Sequence, residues 1–128
     1  MTTREIYTLR VRARFEAAHA LRSYEGKPEP LHGHSWVVEA ELETPRLDDE
    51  GMAFDFVAVK RALGNIIAPF HHGNLNEIAP FDTLSPTTEH VARHVDAQLR
   101  AALPAAPISA VTVWEGPDCS ATYRRASE

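Results

Sequence analysis

The chain has 128 residues, of which 44% are hydrophobic and 24% charged, and its formal net charge is −5. That length suits one domain spanning 1–128, and an acidic balance without a basic stripe argues against a nucleic-acid partner. A single cysteine, Cys119, excludes an internal disulfide. No apolar leader opens the chain and no run nears the ~20 apolar residues of a span, so a cytoplasmic protein with no membrane partner is expected.

Residues 6–19 alternate. Leu9, Val11, Ala13, Phe15, Ala17 and His19 take one face, and Arg10, Arg12, Arg14 and Glu16 the other, which predicts a half-buried strand with a solvated basic face. Residues 21–31 hold Gly26, Pro28 and Pro30 and read as a loop. A second strand is expected over 32–43, with His32, His34, Trp36, Val38, Ala40 and Leu42 opposite Ser35, Glu39 and Glu41. Asp55 is placed to cap a helix whose inner face is Val59, Leu63, Ile66, Ile67 and Phe70. After a loop containing His71-His72-Gly73-Asn74, Ser85-Pro86 reads as cap plus first helical residue of a second helix, with Val91, Val95, Leu99 and Ala102 inward and Pro104 and Pro107 ending it. Residues 108–115 and 119–125 form a hairpin around Gly116-Pro117-Asp118. The order is ββααββ: an α+β fold with a four-stranded antiparallel sheet and two helices on one face.

Three histidines stand out. His32 and His34 have the spacing that points both rings to one side of a strand, and in an antiparallel hairpin the end of the first strand brings His19 beside them. Three neutral imidazoles with an open fourth position suit a catalytic zinc ion. The alternative is a set of hydrogen-bonded core histidines. His90 and His94 stand one turn apart on the second helix and read as helix surface rather than as a second metal pair.

The motifs carry a family resemblance through nearly the whole chain. Phe15-Glu16-Ala17-Ala18-His19, Leu31-His32-Gly33-His34-Ser35-Trp36, Asp55-Phe56, Leu75-Asn76, Pro86-Thr87-Thr88-Glu89, Val113-Trp114-Glu115 and Ala121-Thr122-Tyr123-Arg124 occur in that order. Together they resemble the 6-pyruvoyl tetrahydropterin synthase and 6-carboxytetrahydropterin synthase family. The resemblance implies a tunnelling fold in which the sheets of several subunits join into a barrel, commonly a hexamer of two trimers, with pterin pockets at subunit interfaces. It also implies His19, His32 and His34 as zinc ligands, Glu115 as the carboxylate anchoring the pterin ring, and Thr87 and Thr88 as residues lining it. A carboxylate suits the anchor because it accepts two parallel hydrogen bonds. Helix capping is a second role for the two threonines, compatible with the first.

Two departures bear on the reaction. Familiar members carry a cysteine as general base four residues before His-Gly-His, where this chain has Pro28; Cys119, in the last turn, is no substitute and reads as a packing residue. Glu29, three residues before His32, resembles a glutamate variant of the family associated with cleaving the side chain of 7,8-dihydroneopterin triphosphate to 6-hydroxymethyl-7,8-dihydropterin. Glu29 is therefore the candidate base, against the reading of a solvated loop charge. The family's aspartate–histidine pair after the first helix is here His71-His72, which makes His72 the candidate proton shuttle with His71 in the aspartate's place; two surface loop histidines are the alternative. Side-chain cleavage is the preferred activity. A 6-carboxytetrahydropterin synthase serving deazapurine biosynthesis, and a pterin- or zinc-binding paralogue without catalysis, are the alternatives.

Overall fold

The computed structural model describes residues 3–126. Its elements are β1 (Tyr7–His19), β2 (His32–Thr44), α1 (Phe56–Ile67), β3 (Gly73–Asn74), α2 (Thr88–Ala102), β4 (Ile108–Trp114) and β5 (Ser120–Arg124). One sheet runs β3-β1-β2-β4-β5, and both helices pack on the same face of it. The expected sheet was four-stranded and wholly antiparallel. The two-residue β3 adds a fifth strand, parallel to β1 at Ala17 and Ala18, because the chain leaving α1 returns along the edge of β1.

The alternation along β1 and β2 sets the layers. Val11, Ala13, Phe15 and Ala17 are buried, as are Trp36, Val38, Ala40 and Leu42, while the intervening residues face outward. α1 closes on this face with Val59, Ala62, Leu63 and Ile67, and α2 with Val91, Ala92, Val95 and Leu99. Each fully buried Val, Leu or Phe among them contributes about 1.5–3 kcal/mol. On the outer face the arginines meet acids across the register: Arg12 Nε to Glu39 Oε1 at 2.7 Å, and Arg10 Nη2 to Glu41 Oε1 at 3.3 Å. The hydroxyl of Ser109, ahead of the guanidinium groups of Arg124 and Arg10, holds the Glu41 carboxyl below its ordinary value even though burial opposes it.

Asp55 caps α1 as expected, accepting from Val57 N at 2.9 Å. The start of α2 differs from expectation. Its cap is Thr87, whose hydroxyl accepts from His90 N at 3.1 Å, and Ser85-Pro86 stays outside the helix. Both are engaged elsewhere: Ser85 Oγ accepts from Arg22 N, and the Pro86 carbonyl faces His19. Cys119 lies exposed in the β4–β5 turn, so it is not a packing residue. His94 lies edge-on to Phe70 and Phe81, and His90 Nδ1 donates to the Ser85 carbonyl, so the pair serves local packing and the helix start.

Candidate metal centre

His19 and His32 are register partners at the open end of the β1–β2 pair, with His34 one step inside. All three rings point to the helix-covered side. Their centroids lie 4.7, 4.8 and 5.2 Å apart, and no two rings are parallel. Trp36 forms the floor. Its indole meets His19 edge-on at 4.8 Å, stacks on Phe15, and donates from Nε1 to the Ala17 carbonyl at 3.1 Å. The ends of β1 and β2 are thus pinned behind the three histidines, as a metal site would require of its supporting shell.

Hydrogen bonds settle which ring nitrogen is free. His19 Nδ1 lies 2.8 Å from the Pro86 carbonyl and His32 Nδ1 lies 2.8 Å from the Pro30 carbonyl. A carbonyl only accepts, so both Nδ1 atoms carry the proton and each Nε2 presents a lone pair. His19 is 1% exposed and its Nε2 has no partner. Burial lowers the His19 pKa below its ordinary value, ahead of the opposing Pro86 contact, which favours the neutral ligand form. His34 Nε2 lies 3.0 Å from Glu115 Oε1, yet this buried nitrogen has no hydrogen-bond partner among the described residues. A hydrogen bond needs alignment as well as proximity.

One donor atom from each of His19, His32, His34 and Glu115 lies within 4.8 Å of every other. A tetrahedron at zinc–nitrogen distances has edges of about 3.3 Å, so small side-chain rotations suffice to close the set. Orphaned buried ring nitrogens, pinned tautomers and a convergent carboxylate are what a divalent metal requires, and the residues fit it. A core of hydrogen-bonded histidines would not leave the His19 and His34 nitrogens bare.

Glu29 comes to the site through the folding of its loop. Glu25 and Gly26 both have positive φ, 53° and 82°, and Tyr24 and Lys27 exchange backbone hydrogen bonds around them, making a two-residue turn of the primed type. This tiny hairpin sets Glu29 against Leu21: Glu29 N donates to the Leu21 carbonyl at 3.0 Å, and Leu21 N donates to Glu29 Oε1 at 3.1 Å. The same oxygen lies 3.7 Å from His32 Nε2. Glu29 is therefore ordered beside the histidines and is not a free loop charge.

His71 and His72 do not join the cluster within one chain. They stack on each other at 3.7 Å beside β1, where Glu16 N donates to His71 Nδ1 and His72 N donates to the Glu16 carbonyl. The Glu16 side chain turns away from the core and accepts from Ser35 Oγ at 2.6 Å, and His72 lines a recess with these two residues on that outer side. His72 holds a φ of 62°, unusual for a residue other than glycine. Of the two threonines, Thr87 is taken up in capping, while Thr88 Oγ1 donates to Glu115 Oε2 at 2.7 Å.

Asn76 is a positioning residue that residue types alone did not reveal. Its side-chain amide brackets the backbone of Ala20, accepting from N and donating to O, both at 2.8 Å, and so holds the chain just beyond His19. The only sequence signal was its place in a motif. The bracket is a long-range contact that periodicity does not report.

The 6-pyruvoyl tetrahydropterin synthase family profile matches residues 8–126. The chain is 34% identical over 121 residues to a dihydroneopterin monophosphate aldolase of Pyrococcus furiosus, covering 91% of this chain and 92% of that one. It is 36% identical over 93 residues to a 6-carboxy-5,6,7,8-tetrahydropterin synthase of Synechocystis, covering 69% and 70%. Among solved structures, 6-pyruvoyl tetrahydropterin synthase of Caenorhabditis elegans superposes with a TM-score of 0.82 at 25% identity, over 98% of this chain and all of that one. The chain belongs to the 6-pyruvoyl tetrahydropterin synthase family.

Proposed function

We propose that this protein is a zinc-dependent aldolase that cleaves the side chain of a 7,8-dihydroneopterin phosphate to give 6-hydroxymethyl-7,8-dihydropterin. The observation that carries the reading is Glu29, ordered 3.7 Å from His32 and one residue on from Pro28, the position where the thiol base is missing. The likeness to the Pyrococcus aldolase over nearly the whole of both chains supports it.

His19, His32 and His34 would hold a zinc ion, which when bound would supply acidification of the substrate's side-chain hydroxyls. Glu115 accepts hydrogen bonds from the pterin ring edge and orients the side chain toward the histidines. Glu29 Oε1 is occupied by Leu21 N, which leaves Oε2 to take the proton from the hydroxyl of the second side-chain carbon. That carbon becomes an aldehyde as its bond to the first side-chain carbon breaks, and the electron pair is accepted by the ring C=N system. The first side-chain carbon then regains a proton, delivered by His72, and remains as the hydroxymethyl group. No covalent enzyme intermediate is needed. Thr87 borders the ring, and His71 supports His72.

His71 and His72 stand at the sheet edge, so in this reading they serve the site of a neighbouring subunit. Among the described residues β1 is flanked beyond β2 only at Ala17 and Ala18, and β5 ends the sheet on the other side. Two open strand edges invite pairing between copies, which supports a homo-oligomeric barrel, a hexamer, with pockets at the seams.

The test is to give the zinc-loaded protein 7,8-dihydroneopterin monophosphate and triphosphate separately and identify the products by mass. Hydroxymethyldihydropterin with a glycolaldehyde phosphate supports the aldolase, and the faster substrate fixes the number of phosphates. The second reading, a 6-carboxytetrahydropterin synthase, is favoured by the Synechocystis relative and requires a 6-carboxy product with acetaldehyde. Pterin binding without turnover would mark a paralogue that has lost catalysis.

A further inference from the structure

At the end of the sheet away from the histidines, three separate stretches of chain bring four arginines to one recess. Arg4 precedes β1, Arg100 lies in the last turn of α2, and Arg124 and Arg125 end and follow β5. The 13 residues of β1 set this recess roughly 40 Å from His19, at the rise of an extended strand. Its volume is about 580 Å³, which suits a small organic ligand. Ile6, Pro45 and Ile108 give it an apolar wall, and among the described residues Glu43 is its one acidic lining residue.

The recess is built on a buried acid. Asp96 is 0% exposed and accepts from Arg100 Nε at 3.0 Å with both carboxylate oxygens, and Arg125 Nε lies 3.3 Å from its Oδ2. A guanidinium serving this carboxylate alone would lie edge to edge with it through two nitrogens. Here each arginine spends only Nε on Asp96, which fixes both forks from behind and leaves their Nη donors for another acceptor. Arg124 Nη1 reaches Glu41 Oε2 at 3.3 Å, but Ser109 Oγ already donates to that oxygen and Arg10 shares the carboxylate. Four cations lined up against Glu43 make a positive recess on a chain whose net charge is −5. An anion seated among them relieves their mutual repulsion.

We propose that this recess binds a small molecule carrying two or more linked phosphate groups. Phosphate oxygens match the parallel N–H donors of a guanidinium fork. Two forks saturate the three free oxygens of one terminal phosphate, so four arginines call for at least one phosphate more. The apolar wall takes the organic body of the ligand. Because Arg4 and Arg125 flank the sheet's first and last strands, the ligand also ties both ends of the chain to α2 and stabilises the fold.

The experiment is calorimetric titration of the full chain, freed of metal so that no phosphate is drawn to a metal ion. The probes are orthophosphate, inorganic pyrophosphate and ATP. Pyrophosphate and ATP should bind at least about 10-fold tighter than orthophosphate, and Arg4→Gln and Arg124→Gln should each weaken both by about 10-fold. Neither arginine touches Asp96, so melting temperatures without ligand should match the wild type. Arg93→Gln, on α2 outside the recess, should leave binding unchanged. ATP tighter than pyrophosphate supports an organic phosphate, and equal affinities support the phosphate chain as the recognised part. Orthophosphate bound as tightly as pyrophosphate, or no loss in Arg4→Gln and Arg124→Gln beyond that in Arg93→Gln, would overturn the proposal. So would ATP binding that appears only when the protein is loaded with zinc, since that places the anion at the histidines.

Discussion

At the residue scale, the site depends on a few groups whose freedom has been removed. The Nε2 lone pairs of His19 and His32 are aimed by carbonyls two proline residues supply, and both ring tautomers follow from that alone. In the proposed reaction Glu29 is the base. Replacing it by Gln keeps its shape and its contact with Leu21 N but removes the base, so turnover should fall by about 10²–10⁴-fold with zinc content unchanged. Product formation and metal analysis on the same preparation check both halves; undiminished activity would remove Glu29 from the mechanism. A pH effect follows from His94, whose pKa lies below its ordinary value because the ring is desolvated between Phe70 and Phe81. The folded chain holds this ring neutral while the unfolded chain protonates it near pH 6.5 (about the free value). Between those two pKa values the unfolded state binds more protons, so stability is present above about pH 6.5 and declines as the pH falls. Urea midpoints of the metal-free protein should drop from neutral pH to mild acid, and less steeply in His94→Leu.

At the element scale, turns and caps place the chemistry. The loop between β1 and β2 is legible in the sequence as a loop, from Gly26, Pro28 and Pro30, but not as the small hairpin that turns Glu29 back onto Leu21. Gly26→Val forces a branched side chain into a φ of 82°, at a cost of about 1–2 kcal/mol. Thermal melting should show that loss, and turnover should fall further than stability alone explains, because Glu29 is displaced while the three histidines keep their metal. Thr87→Ala separates capping from chemistry in the other direction. The loss of its hydrogen bond to His90 N should lower stability by about 1 kcal/mol and leave metal affinity unchanged. The start of α2 was misplaced by two residues because Ser85-Pro86 carries a common cap signature, and only the folded chain shows that its polar groups are already engaged by Arg22, His90 and His19. The short β3 gave no periodic signal at all, since two residues cannot show a period.

At the scale of the whole molecule, one sheet carries its site at one end and leaves open edges on both sides. The outer face of charged pairs contributes little to stability, since surface ion pairs are worth about 0–1 kcal/mol each, and it keeps that face wet in a single chain. If sites are shared between subunits, Glu29→Gln and His72→Ala inactivate different halves of the same site. Each variant should be inactive alone, and equal mixing after dissociation and reassembly should restore roughly a quarter of the wild-type sites. Light scattering of the wild type should accompany the assay and return a mass that is a multiple of the chain's. A monomer, or mixed subunits without recovered activity, would place His72 outside the mechanism.

By itself the sequence determined the two long strands, both helices, the inner and outer faces of β1 and β2 and the convergence of His19, His32 and His34, while Ala102 and Cys119, expected inward and packed, are exposed. The reason is that period-two and period-3.6 patterns are local, and a hairpin converts strand-end positions into neighbours without further information. Only the tertiary structure decided which nitrogen of His19 and of His32 is free, that Glu29 is ordered against His32, that Asn76 brackets Ala20, and that Glu115, bonded to Thr88, stands beside His34. These depend on carbonyls, hydroxyls and amides brought together from distant parts of the chain, where hydrogen-bond direction rather than residue type selects the partner.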